Sequence, residues 1–310
     1  MPRAAMIGSG LIGRAWAGVF ARAGWEVTIY DAAQGAVERA RELIAASLDE
    51  QAQLGLVTDS KAAAGRVRLA YDLAAALDGA DFVQENTPET VEAKRQVFRE
   101  LDRLAPSDVV LASSTSAIVA SRFTEDLGGR ARCLVAHPVN PPHLVPLVEL
   151  VGAPWTTPET IARAKEVYES IGQVPIVVNK EIEGFILNRL QGALLAEAFR
   201  LVGDGYVSPQ DCDKTLKEGL GLRWSFMGPF ETIDLNAPGG MADYCARYTS
   251  FYRNLQSAPA PAAVFGPDNV ARIIAQWGLP PERERLDARM AWRDRRLAAL
   301  KAHKHSQPDA

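Results

Sequence analysis

Cysteine is scarce in this 310-residue chain. Cys133, Cys212 and Cys245 are an odd, scattered set without a C-x-x-C pair. That excludes a disulfide framework, offers no zinc-ligand spacing, and points to a reduced, cytoplasmic chain without a metal. Basic charge is short as well: 34 Lys and Arg stand against 38 Asp and Glu, a formal net charge of −4. Neither nucleic acid nor an anionic membrane is then expected as a partner, because both reward a basic face. No uninterrupted apolar run is long enough to span a bilayer. The first apolar run begins almost at Met1, so no secretory leader is expected. Histidine is the last scarcity, with four in all. His303 and His305 sit in a polar C-terminal stretch and are poor catalytic candidates. His137 and His143 remain.

Glycine is placed where it carries information. Gly8-Ser-Gly10-Leu-Ile-Gly13 follows the apolar run Ala4-Ala-Met-Ile7 and opens a helix-patterned stretch, and Asp31 closes a second apolar run, Val27-Thr-Ile-Tyr30. Each part has its own reason. Gly8 permits a tight turn, Gly10 lets the backbone approach a pyrophosphate, and Gly13 allows close helix–strand packing. The helix N-terminus then faces the phosphates. Asp31 can accept the adenine ribose hydroxyls, and Ala32-Ala33 offers no cation for a 2′-phosphate. NAD is therefore the expected cofactor, in preference to NADP.

Residues 1–182 alternate strand-like and helix-like segments. Strands are expected at 4–7, 26–30, 81–85, 109–112, 132–136, 145–151 and 174–178. Helices are expected at 11–23, 36–54, 73–77, 89–104, 119–127 and 158–171. The class is α/β: a Rossmann-type, doubly wound, mainly parallel sheet with a mixed edge. Residues 34–67 read as a helical hairpin insertion projecting from the sheet, with turn signals at Gly55 and Thr58-Asp-Ser60. After Asn179 the strand signal ends, and residues 183–310 are expected to form an all-α domain. Residues 184–202 form a long apolar helical pattern that needs burial on most sides, in its own core or against a second subunit. Ser208-Pro209 should cap another helix, and a charged helix is expected from Pro281 to Lys304.

His137 ends the run Cys133-Leu-Val-Ala-His, at the carboxyl end of a strand, where α/β sheets bind ligands. Glu149 interrupts the apolar strand Leu147-Val-Glu-Leu-Val151, where it is either a buried carboxylate, which needs a partner, or a strand-edge carboxylate facing solvent. One loop could return the chain to pair the two. A carboxylate on one imidazole nitrogen leaves the other as acceptor, which is the base an alcohol oxidation needs. Ser113-Ser-Thr-Ser116 follows another strand end, and its hydroxyls could hold a substrate oxygen or a ribose, or cap a helix. Asn188 and Arg189 lie within the apolar helical pattern, where a buried amide wants a partner. Asn140, after His137, is either a site residue or a turn residue.

The glycine fingerprint, Ser113–Ser116, His137-Pro-Val-Asn140 with Glu149, and Gly184-Phe-Ile-Leu-Asn188-Arg-Leu190 together resemble the 3-hydroxyacyl-CoA dehydrogenase superfamily. Within it, Ala136-His-Pro-Val-Asn-Pro-Pro142, Val145-Pro-Leu-Val-Glu-Leu150, Gly219-Leu-Gly-Leu-Arg223-Trp, Gly228-Pro-Phe-Glu-Thr232, Leu235-Asn-Ala237 and Trp292-Arg-Asp294 resemble the lambda-crystallin and L-gulonate 3-dehydrogenase branch. The resemblance implies His137 as base and Glu149 as its orienting partner. It implies Ser116 and Asn188 as donors to the reacting oxygen, with Asn140 in support. It places Gly8, Gly10, Gly13, Asp31, Glu89 and Lys94 against NAD, and it implies a homodimer formed through the helical half.

The substrate is the open point. Acyl-CoA members commonly carry basic residues on the hairpin after the second strand. Here Arg39 and Arg41 are offset by Glu38, Glu42, Asp49 and Glu50, and there is no lysine in the hairpin before Lys61. A Lys-Thr-Gly-x-Gly-Phe/Tyr motif common in those members is also missing from the C-terminal region. A free acid needs a guanidinium clamp, for which Arg223 is the candidate; a helix C-terminal arginine is the plainer alternative. NAD-dependent oxidation of a free 3-hydroxy acid at C3, with L-gulonate as the named substrate, is expected. The alternatives are an L-3-hydroxyacyl-CoA, a carnitine-type substrate, and a non-catalytic crystallin-like protein.

Overall fold

Alternate residues of a strand face opposite ways, and a strand buried on both faces must be apolar throughout. The computed structural model describes residues 1–278 and 282–307. In it, β1 (Arg3–Ile7) turns Ala4 and Met6 into one apolar cluster and Ala5 and Ile7 into another. Seven strands join it: β2 (Glu26–Tyr30), β3 (Val67–Ala70), β4 (Phe82–Glu85), β5 (Val110–Ser113), β6 (Cys133–Pro138), β7 (Leu147–Gly152) and β8 (Val174–Val178). Their order is β3-β2-β1-β4-β5-β6-β7-β8, and every pair is parallel except β6–β7. The chain runs outward from β1 to β3 and then crosses back to β4. The crevice at the carboxyl ends of β1 and β4 is therefore the topological switch point.

Helices α1 (Leu11–Arg22), α2 (Ala36–Gln53) and α7 (Pro158–Ser170) cover one face; their contribution includes Trp16, Phe20, Ile44, Leu48 and Tyr168. Helices α4 (Leu73–Leu77), α5 (Val91–Leu104) and α6 (Ser121–Thr124) cover the other, with Leu77, Phe98, Leu101 and Phe123. The hairpin insertion is α2 with α3 (Ser60–Ala64). It lies along α1 with Val37, Ala40, Ile44 and Leu48 in the core, so it does not stand clear of the sheet as the sequence suggested. The edge strand β3 was not expected. Val67-Arg-Leu-Ala70 is short, with an exposed arginine, and gains its place by pairing with β2.

The chain forms two compact units: Met1–Ile186 together with the segment from Arg289, and Leu187–Ala288. The second is helical: α8 (Leu187–Gly203), α9 (Pro209–Thr215), a π turn at Leu216–Leu220, α10 (Gly221–Trp224), α11 (Pro229–Leu235), α12 (Gly240–Leu255) and α13 (Pro267–Trp277). Ser208 caps α9 by accepting from the Asp211 N–H, with Pro209 in the first turn. α14 (Arg283–Ser306) starts in this unit and ends in the first, whereas the sequence reading assigned the whole C-terminal stretch to the helical domain. Pro281, the expected start of that helix, lies outside the described residues. No helix among the described residues is long and apolar enough to cross a membrane.

Within the first unit, α14 reaches the loop between β6 and β7. Lys301 Nζ and Arg22 Nη1 both donate to the His143 carbonyl, at 3.2 and 3.0 Å. Burial, and then the charge of Arg22, lower the His143 pKa from 6.5 to about 4, with Asp294 opposing. Its buried Nδ1 has no hydrogen-bond partner. The folded protein thus keeps His143 neutral where the unfolded chain protonates it. Stability is unaffected by this group above pH 6.5 and falls as pH drops from there toward 4. The expected loss is about 2–3 kcal/mol between about pH 7 and about pH 4.5. Urea unfolding at the two pH values measures it, and His143→Asn should flatten the slope. An unaltered slope would discard the assignment.

Candidate active site

The turn after β1 is built around two close approaches. Gly8 has φ 95°, and a Cβ there would sit 2.6 Å from the Asn86 carbonyl oxygen. A Cβ on Gly13 would lie 1.9 Å from the Gly8 carbonyl oxygen. Gly10 is different: a Cβ there meets nothing within 4 Å. The space over Gly10, at the N-terminus of α1, is open, which suits an anionic group such as a pyrophosphate. A cleft of about 700 Å³ continues from this point, lined by Gly8, Gly10, Asp31, Ala33, Asn86 and Val97 among others.

Asp31, just past β2, is held by its neighbours. Its Oδ2 accepts from the Ser9 N–H and hydroxyl at 2.7 and 2.8 Å, and its Oδ1 accepts from the Ala33 N–H at 2.9 Å. Partial burial pushes its carboxyl upward, but the bonds from Ala33 and Ser9 outweigh this and hold it below the usual carboxylate range. It is anionic at neutral pH, with acceptor capacity left for a hydroxyl. These residues fit a dinucleotide.

His137 and Glu149 face each other across the antiparallel β6–β7 pair, in direct register. The loop between them consumes just enough chain to bring residues twelve apart side by side. His137 Nδ1 lies 2.7 Å from Glu149 Oε2. The residues are 5% and 0% exposed, so this is a buried pair rather than a solvated edge. With Glu149 ionised, Nδ1 carries the proton and Nε2 is left as the acceptor. The other carboxylate oxygen, Oε1, accepts from the Ile186 N–H at 2.8 Å.

Ile186 reaches Glu149 from a bend that sequence periodicity missed. Gly184 and Phe185 have φ 77° and 48°, left-handed values that cannot continue a right-handed helix. Helix α8 accordingly begins at Leu187, not at residue 184. Such a backbone costs about 1–3 kcal/mol for a non-glycine residue and persists only where its surroundings hold it. Phe185 is fully buried, with its ring 5.3 Å from the His137 imidazole.

A second buried pair lies behind the switch point. Lys94 Nζ on α5 donates to both oxygens of Glu85 at the end of β4, at 2.9 and 3.0 Å, and to the Thr87 carbonyl at 3.1 Å. Lys94 is 1% exposed, so its ammonium is committed inward and is not presented to the cleft as the resemblance implied. Glu89 is exposed, and its Oε1 accepts from the Thr115 hydroxyl and the Ser116 and Ala117 N–H groups while its Oε2 lies 3.8 Å from Lys94 Nζ. Both residues shape the loops around the cleft. Of the hydroxyl run, Ser113 donates to Glu85 and Ser114 donates to Asn86 while accepting from Trp16 and Gln84. Those two support the fold, and Ser116 is the exposed member. The short helix α6 starts later than expected and is not capped by this run.

Asn140 is exposed in the β6–β7 loop. Asn188 is the second residue of α8, and Arg189 is exposed. Arg223 lies in the last turn of α10, exposed, with Tyr244 in its electrostatic neighbourhood. Sequence reasoning missed Glu85, Asn86 and Phe185. The first two had a signal, since both end or follow the strand beside β1. An apolar residue in an apolar run, as Phe185 is, carries none.

The chain was compared with known proteins. Residues 3–182 match the family model "3-hydroxyacyl-CoA dehydrogenase, NAD binding domain", and residues 184–265 match "3-hydroxyacyl-CoA dehydrogenase, C-terminal domain". The lambda-crystallin homolog of Rattus norvegicus is 42% identical, over 97% of this chain and 95% of the rat protein. The L-carnitine dehydrogenase of Oceanobacillus iheyensis is 42% identical, over 76% of each chain. The crystal structure of 5-formyl-3-hydroxy-2-methylpyridine 4-carboxylic acid 5-dehydrogenase, an NAD-dependent dismutase, superposes with a TM-score of 0.85 at 30% identity, covering 99% of this chain and 100% of that one. The glycine turn and Asp31 lie within the segment that matches the NAD-binding domain.

Proposed function

Because the chain belongs to the 3-hydroxyacyl-CoA dehydrogenase family, we propose that it oxidises the C3 hydroxyl of a free 3-hydroxy acid, with L-gulonate as the named substrate. The observation that carries this reading is the buried His137–Glu149 pair at the carboxyl end of β6.

Gly8, Gly10 and Gly13 would hold NAD, with Asp31 accepting from its ribose hydroxyls, and NAD when bound would supply the hydride acceptor. The chain's own residues handle the proton. His137 Nε2 takes it from the substrate hydroxyl, and Glu149 stabilises the imidazolium that results. Ser116 and Asn188 donate hydrogen bonds to the substrate oxygen as it becomes a carbonyl. Asn140 supports the same loop. Glu89 and Lys94 keep the loops around the cofactor in place.

Two things favour a free acid over a thioester. The basic residues of α2 are offset by acidic neighbours, so the helix offers no evident phosphate patch. Two relatives also bear names of compounds with free carboxylates, L-carnitine and a pyridine carboxylic acid. In our reading Arg223 clamps the substrate carboxylate. Arg223→Ala should raise the KM for L-gulonate about 10- to 100-fold with a smaller change in kcat. Steady-state NADH formation measures this, and an unchanged KM would discard the clamp.

We also propose a homodimer formed through the helical unit. That unit exposes a large apolar surface in the single chain: Leu190, Phe226 and Phe230 are 66%, 67% and 70% exposed, and Val202 is the buried residue of α8. So much apolar surface on one unit calls for a cover. Sedimentation equilibrium at micromolar concentration should give twice the chain mass; a monomer would contradict the proposal.

A further inference from the structure

We propose that Phe185 is a positioning residue for the His137–Glu149 pair: its ring packs on the imidazole while its left-handed backbone aims the Ile186 N–H at Glu149. The inference rests on the catalytic reading of that pair given above.

Glu149 has two oxygens and both are held from fixed directions. Oε2 faces His137 across the sheet, and Oε1 receives the Ile186 N–H. Each of these bonds restricts rotation of the carboxylate about its last torsion. The second partner depends on the backbone of residue 185. Its φ of 48° is the one positive value among the described non-glycine residues. A right-handed or extended residue there would send the next N–H elsewhere.

Glycine would adopt this conformation without strain. Phenylalanine does not, so its presence calls for a contribution from the ring. That ring is 0% exposed, in the cluster that includes Ala120, Phe123, Val135, Val151 and Val178. It stands 5.3 Å from the imidazole, tilted by 47°. It packs against the imidazole and leaves Nδ1 to Glu149. The backbone and the side chain of one residue thus act on the two members of one pair.

The two roles separate by substitution. Phe185→Gly keeps the backbone conformation and the Ile186 bond but removes the ring. Phe185→Leu restores apolar cover. In Phe185→Gly, NAD affinity should stay within about twofold and the KM for L-gulonate should change little, while kcat falls about tenfold or more. Phe185→Leu should recover most of that loss. Wild-type kcat in Phe185→Gly overturns the proposal. If Phe185→Gly does not fold, Phe185→Ala carries the test: a kcat about tenfold or more below wild type with NAD affinity kept supports the proposal, and wild-type kcat overturns it. Wild-type turnover by His137→Ala would instead sink the catalytic reading, which keeps the two failures apart.

Discussion

Replacing His137 with alanine is expected to lower kcat by about 10²–10⁴-fold and to leave the Kd for NAD close to its wild-type value. The split follows from where the residue stands. His137 is on β6, paired across the antiparallel edge with Glu149, while the glycine turn and Asp31 belong to β1, α1 and β2. Removing the imidazole takes away the proton acceptor and touches none of the groups that hold the dinucleotide. It also leaves Glu149 as a buried carboxylate that has lost its imidazole partner. Some loss of stability therefore accompanies the loss of rate, on the order of 1–3 kcal/mol. Initial-rate kinetics, an NAD titration and a thermal melt on one preparation separate these effects. A variant with wild-type turnover would show that another group takes the proton.

Gly13→Ala should do the opposite, weakening NAD binding by about 100-fold, or about 2.7 kcal/mol. The added Cβ falls 1.9 Å from the Gly8 carbonyl oxygen and 2.9 Å from its carbon. Those are backbone atoms, so no side-chain rotation relieves the clash. The turn must open or α1 must move off β1, and either change displaces the N–H groups that face the pyrophosphate. A stability loss of about 1–3 kcal/mol should accompany it. Gly10→Ala is the informative partner. With nothing within 4 Å of its Cβ, the variant should melt like the wild type yet bind NAD more weakly, because the methyl fills space meant for the cofactor. Equal NAD affinity in Gly13→Ala would contradict the role given to the turn.

The sheet half of the chain was legible because its signals are local. The apolar run at Ala4–Ile7, the glycine spacing and Asp31 lie within one β-α-β unit, and that unit forms as read. The His137–Glu149 pairing was also within reach, since one Pro-rich loop joins two adjacent strands and a hairpin-like return sets the register. What stayed hidden depends on contacts between distant segments. Nothing local distinguishes the four hydroxyls at 113–116; Ser113 turns inward because Glu85 waits on the neighbouring strand. Lys94 looked available because its partner, nine residues earlier, read as the end of a strand. β3 forms by pairing with β2 rather than by its own pattern. The bend at Gly184-Phe185 interrupts a run whose 3.6 periodicity is otherwise good, and it brings the Ile186 N–H to Glu149, a distant contact that the local pattern does not carry. The helical unit is apolar in pattern, but its pattern does not say which faces meet each other and which stay exposed.

The central claim is that the His137–Glu149 pair and an NAD site together oxidise a free 3-hydroxy acid. Its most direct test is the steady-state rate of NADH formation over L-gulonate, L-3-hydroxybutyrate, L-3-hydroxybutyryl-CoA and L-carnitine, with NAD saturating. The expected result is the highest kcat/KM for L-gulonate, with the thioester at least tenfold lower. Turnover of the thioester alone would contradict the account.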